Sequence, residues 1–161
     1  MKKIIFFAFL LCVLLNSKVY AIDFQVFDMR NNIFEESKEI KSLITKSKDA
    51  ILLTTMFDSC IIATSQLDAY FSMLGIFESA KGKDLSDTSI DFITNWLNGI
   101  KNTNEMNVRI LSSVTQQIDS ITKVHITKLQ ALFNELTNRV NAELNKFSLI
   151  RSSLQIKPRR R

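Results

Sequence analysis

The sequence predicts an all-α protein, and two observations carry this prediction. The 161 residues include only three glycines and one proline, whereas all-β folds use these residues repeatedly in their turns. Apolar residues also recur at alternating steps of three and four over most of the chain, which is the spacing of one helix face. We therefore expect an elongated antiparallel helical hairpin or a three- or four-helix bundle with coiled-coil character.

The stretch 51–77 is the most apolar one after the N-terminal segment, and we expect it to form the central helix. Its predicted core residues are Leu53, Phe57, Cys60, Leu67, Phe71 and Leu74. Additional apolar residues, among them Ile61, Ile62 and Ile76, widen this stripe beyond the narrow seam that a two-helix coil hides. The central helix therefore needs cover on more than one side, which favours a bundle or a homo-oligomer.

The N-terminus has the pattern of a secretory signal peptide. Lys2 and Lys3 precede an apolar run of about twelve residues, which is shorter than the roughly 20 that span a bilayer. A small-residue cleavage pattern follows, so we expect residues 1–21 to be removed by cleavage after Ala21; an uncleaved anchor is the alternative. A leucine before Cys12 argues against a lipoprotein. The mature chain is expected in the periplasm, at the cell surface or secreted.

Charge is placed unevenly along the chain. The formal net charge is +5, but residues 22–150 alone sum to −3. A basic tail, 157–161, follows the predicted helical domain 22–156, and it is expected to be solvated and disordered because Pro158 stops any helix. The positive residues of this tail are Lys157, Arg159, Arg160 and Arg161. They are candidates for binding an acidic glycan or an anionic membrane surface.

The first predicted arm, 31–80, is either one helix or two helices with a break near 45–49. Residues 23–29 alternate like a strand and are expected to be an extended lead-in. After a loop at 81–88, Ser86 or Asp87 is expected to cap a short helix that ends at Gly99. The last helix is expected to run from about Asn104 to Leu154.

Candidate catalytic and metal-binding side chains are few. His125 is the only histidine and falls on an apolar stripe, so we interpret it as structural rather than as a metal ligand. Glu35, Glu36 and Glu39 are interpreted as a solvated helix face. Asp58 and Asp68 are expected to face solvent. We predict no enzymatic activity, no cofactor and no metal.

Three function classes remain. The first is an exported helical protein that binds an unidentified protein partner, or a second copy, through a helix face. The second is a surface adhesin or polyanion binder that uses the basic tail 157–161. The third, which fits less well, is a membrane-active protein that inserts the helix at 51–77, since Asp58 and Asp68 would oppose insertion. Nucleic acid is not an expected partner because the chain is predicted to be exported and its body is acidic.

Overall fold

The computed structural model describes residues 24–79, 86–114 and 117–155, and every regular element in these ranges is an α-helix. The helices are α1 (Phe24–Ile44), α2 (Ala50–Ser79), α3 (Asp87–Ser112) and α4 (Ser120–Gln155). The predicted all-α class is therefore confirmed, with four helices. The predicted signal peptide, its cleavage after Ala21 and the basic tail 157–161 lie outside the described residues.

Polar contacts between the helices show how they run. Arg30 near the start of α1 pairs with Asp68 in the second half of α2, and Asp91 near the start of α3 pairs with Arg151 near the end of α4. Sequence neighbours therefore pack antiparallel, and α1 also packs along α4. The result is an up-down-up-down bundle around one apolar core.

The predicted core residues of the central helix fall into two groups. Leu53, Cys60 and Leu67 have no solvent exposure. Phe57, Phe71 and Leu74 are partly buried and pack against the same core from its edge. The opposite side of α2 is exposed although it also carries apolar residues, and this side is part of the candidate site.

The prediction of an extended lead-in at 23–29 is wrong where the structure describes it, because α1 begins at Phe24. Val26, Met29 and Ile33 form one buried helical face, so burial outweighs the short alternation. The chain then breaks between α1 and α2. The amides of Lys46 and Ser47 both donate to the carbonyl of Leu43, which ends α1 in a tight turn.

The predicted boundary at Gly99 is also wrong, since α3 continues to Ser112. Its buried face runs on past the glycine through Ile100, Asn104, Asn107 and Leu111, and that burial offsets the roughly 1 kcal/mol cost of a helical glycine. Ser86 is the N-cap and accepts from the Ser89 amide. The last helix begins at Ser120 rather than near Asn104.

Candidate functional site

Most of the exposed large apolar side chains in the described ranges belong to α2 and α3, and α4 carries three others, Ile121, Val124 and Leu149. Ile62 and Ile76 on α2 are 49% and 66% exposed, and Phe92 and Met106 on α3 are 57% and 55% exposed. At 100° per residue, Ile51, Ile62 and Ile76 fall within about 40° of one another on α2. The same holds for Phe92, Met106 and Ile110 on α3. Each helix thus presents an apolar line to solvent.

The two lines flank the groove between α2 and α3. The hydroxyl of Ser59 donates to Asn107 Oδ1 at 3.3 Å, and Gln66 Nε2 donates to Thr103 Oγ1 at 3.2 Å. This antiparallel register places Met106 at the level of Ile62. It places Phe92 at the level of Ile76. We call the set Ile62, Ile76, Phe92, Met106 and Ile110 the α2–α3 apolar face.

A groove of about 260 Å³ opens between α2 and α3 beside Phe92 of this face and is lined by Gln66, Phe92, Asn95, Trp96 and Gly99. Trp96 Nε1 donates to the carbonyl of Gln66 at 3.1 Å, so the indole ring is fixed as the groove's apolar wall. Gly99 leaves one side open, because a Cβ added there would meet nothing within 4 Å. The groove therefore offers an apolar side-chain pocket with a polar edge.

Buried polar groups also lie along the contact between α2 and α3. Asn104 has 0% exposure, and both polar atoms of its amide lack a hydrogen-bond partner within the described ranges. The same holds for Asn107 Nδ2 and Gln66 Oε1. Each such group costs about 1–3 kcal/mol. Hydrogen bonding is thus incomplete along the α2–α3 seam, where the exposed apolar residues also lie.

The two helices that carry the α2–α3 apolar face are acidic in sum. Residues 50–79 contain Asp58, Asp68 and Glu78 but no lysine or arginine. Together α2 and α3 sum to a formal −4, whereas α4 sums to +3. Asp68 and Asp91 are each paired with an arginine of a neighbouring helix, so a net −2 remains on α2 and α3 to attract a basic partner to this side of the bundle.

Between α1 and α4 the structure assembles a second polar cluster. Glu36 was expected on a solvated face, but its side chain is fully buried. Its Oε1 lies 2.6 Å from His125 Nδ1, and its Oε2 contacts the ammonium of Lys128. Lys128 also reaches Glu39 Oε2 at 3.2 Å. Sequence reasoning missed this cluster because its halves are 89 residues apart and no local pattern joins them.

The turns at one end of the bundle are cross-linked by Asp119. Its Oδ1 accepts from the Thr122 amide at 2.8 Å, and its Oδ2 accepts from Ser47 Oγ at 2.8 Å. In return the Asp119 amide donates to Asp49 Oδ2 at 2.9 Å. The hydrogen bonds to its carboxylate, led by that from the Thr122 amide and followed by that from the Ser47 hydroxyl, hold the pKa of Asp119 well below its ordinary value.

The remaining predicted side chains are distributed over the surface. Asp58 is exposed, as expected. Asp68 is also exposed but forms a two-pronged pair with Arg30, whose Nε and Nη2 each lie 2.9 Å from a carboxylate oxygen. The candidate polyanion-binding residues Lys157, Arg159, Arg160 and Arg161 lie outside the described residues, so polyanion binding stays a prediction.

One helix among the described residues is long and apolar enough to cross a membrane, namely Ala50–Ile76 of α2. A third of its most apolar window is buried inside the bundle. Length and composition alone do not separate a spanning helix from the core helix of a bundle.

Comparisons of the chain with protein-family models, with curated proteins and with solved structures give no match.

Proposed function

We propose that this protein is an interaction protein that binds an amphipathic helix of a partner protein across the α2–α3 apolar face. The observation that carries this proposal is the alignment of exposed Ile62 and Ile76 on α2 with exposed Met106 and Phe92 on α3, on the two sides of the contact between these helices. Apolar lines on two adjacent antiparallel helices match the helix-in-groove mode, in which residues at three–four spacing dock between them.

The chemistry of the face specifies the partner further. The partner helix would place one bulky apolar side chain in the groove beside Trp96, where shape and apolar area both favour it. Its flanks would be basic, because α2 and α3 keep a net −2 after their two ion pairs with arginines of the other helices are counted. The setting proposed for this interaction is outside the cytoplasm, in line with the predicted signal peptide.

Site-specific photo-crosslinking tests the proposal in the cells that produce the protein. A benzophenone amino acid at Ile62 is compared with the same group at Val124, which is 63% exposed but lies on α4. We expect a discrete heterologous adduct from position 62 alone. We also expect Phe92→Asp to abolish this adduct while the circular dichroism spectrum stays helical.

Three outcomes would contradict the proposal. These are no adduct from position 62, the same adducts from both positions, and an adduct of twice the protein's own mass. The last would assign the face to a second copy of this chain instead of a partner protein. Sedimentation of the purified protein over a range of concentrations would then confirm self-association.

Membrane insertion of α2 is the second candidate function, and the apolar span Ala50–Ile76 favours it. Asp58 and Asp68 oppose it, because each costs roughly 2.5–3.5 kcal/mol at a bilayer centre. Flotation of the protein with liposomes distinguishes insertion of α2 from binding through the basic tail and from no membrane binding. Binding to neutral vesicles supports insertion, binding to anionic vesicles alone assigns the membrane contact to the basic tail 157–161, and no binding excludes both.

A further inference from the structure

The cluster between α1 and α4 brings three potential metal ligands to one point. Glu36 and Glu39 are three positions apart and therefore share one face of α1. His125 approaches that face from α4. One ligand atom from each of the three side chains lies within 4.8 Å of the other two. This cluster is separate from the α2–α3 apolar face, because it is built by the other two helices.

We propose that Glu36, Glu39 and His125 form a binding site for a divalent transition-metal ion, best matched by Zn²⁺, and that the Lys128 ammonium holds the cation position in the metal-free protein. The ammonium contacts both carboxylates. It thus marks the point where a cation shared by Glu36 and Glu39 would lie.

The geometry fits such an ion after small side-chain movements. Zinc binds histidine nitrogen and carboxylate oxygen at about 2.0–2.2 Å, so two ligands of one ion lie up to about 4 Å apart. The three donors are within 4.8 Å of one another already. One imidazole and two carboxylates suit zinc and neighbouring transition metals, whereas calcium requires six to eight oxygen ligands.

Charge and exposure explain how Lys128 and the metal would exchange. The Glu36 carboxylate has 0% exposure, and a buried charge requires a compensating partner. The Lys128 side chain is 49% exposed, so it can swing into solvent on its flexible stem. Two carboxylates and a neutral imidazole then carry −2, which a divalent ion neutralises.

Binding would also stabilise the fold in a measurable way. Glu36 and Glu39 belong to the first helix and His125 belongs to the last. An ion held by all three would join α1 to α4 directly. A ligand that binds only the folded state raises its stability in proportion to occupancy, so the ion should raise the melting temperature.

The test uses the metal-free full chain, titrated with ZnCl₂ in a calorimeter and melted with and without the metal. We expect one equivalent to bind and the melting temperature to rise. Lys128→Met removes the competing ammonium and should bind at least tenfold more tightly. Glu39→Gln, at an exposed position, should bind at least tenfold more weakly. Lys123→Met, an exposed lysine on the same helix, should behave like the natural chain.

Several results would overturn the proposal. If the natural chain gave no heat of zinc binding and no rise in melting temperature, the proposal would be wrong, even if Lys128→Met bound zinc. Equal affinity in Glu39→Gln and the natural chain would show an adventitious ion only. Co²⁺ provides a second readout, since its visible absorption reports the ligands directly. A spectrum unchanged by Glu39→Gln would remove Glu39 from the site and contradict the proposal.

Discussion

Tyr70 and Glu143 are joined across the bundle by a buried hydrogen bond, in which the tyrosine hydroxyl donates to Glu143 Oε2 at 2.9 Å. The two residues are only 1% and 6% exposed. Tyr70 belongs to α2 and Glu143 to α4, so the bond links the two hairpins of the fold. Lys146 contacts the other oxygen of the same carboxylate, which leaves Glu143 partnered on both sides.

Tyr70→Phe is expected to lower the free energy of unfolding by about 1.5–3 kcal/mol, the range for hydrogen bonds to charged groups. The phenyl ring still fills its place in the core, so the loss is confined to the hydroxyl. Urea denaturation measures it. Glu143→Gln and the double variant complete a mutant cycle. Strictly additive effects in that cycle would contradict a direct coupling between the two side chains.

The orientation of α2 about its own axis decides which of its residues face the core. Two aspartate substitutions, two positions apart, test this orientation. Leu67 has no exposure, and Leu67→Asp places an unpaired charge in the core, which should unfold the protein or nearly so. Ser65 is exposed, and Ser65→Asp should change stability by about 0.5 kcal/mol or less. Thermal melts followed by circular dichroism compare the two. Similar losses at both positions would contradict the observed orientation of the helix.

The helix content and the buried face of α2 were predictable because they depend on local periodicity. The end of α3 was not, since Gly99 resembles a stop signal and Asn104 and Asn107 interrupt an apolar stripe. The structure buries both asparagines, which no reading of polarity would suggest. The true break precedes Ser120, where Asp119 caps α4. Aspartate is a favoured N-cap residue, so Asp119 was a usable sequence signal for the start of α4.

The candidate site was predictable only in part. The excess of apolar residues on α2, including Ile62 and Ile76, indicated that this helix needs more cover than one neighbour gives. The contribution of Met106 to the α2–α3 apolar face was not predictable, because the sequence pattern placed the end of this helix at Gly99. The pairing of Glu36 with His125 depends on how the first and last helices pack. A contact between segments so far apart in the chain produces no periodic pattern in a single sequence, so it could not be predicted.

Cys60 should be unreactive in the folded protein. It has 0% exposure, and burial, with a smaller contribution from the charge of Glu36, raises the pKa of its thiol to about 12. At pH 8 that leaves about one thiolate in ten thousand. Iodoacetamide followed by peptide mapping should label Cys60 far more slowly in buffer than in denaturing urea. Equal rates would show that the thiol is accessible and would contradict this prediction.

The carboxylate of Asp119 should make the protein sensitive to acid. Because hydrogen bonds from the Thr122 amide and the Ser47 hydroxyl lower its pKa in the folded state, the unfolded chain binds a proton more readily. The stabilisation is therefore complete above the unfolded pKa of about 4 and is lost as the pH falls below it. The urea midpoint of the natural protein should drop between pH 7 and pH 3, in part through this residue.

Asp119→Asn isolates that contribution. Asparagine still accepts from the Thr122 amide as an N-cap, but it carries no charge and does not titrate. The variant should be less stable than the natural chain at pH 7, and the gap between the two should narrow at pH 3. Asp58→Asn, at an exposed position of α2, serves as the control for removing a carboxylate. If Asp119→Asn retained the full acid-induced shift of the natural protein, the link between the two turns would not depend on the charge of Asp119.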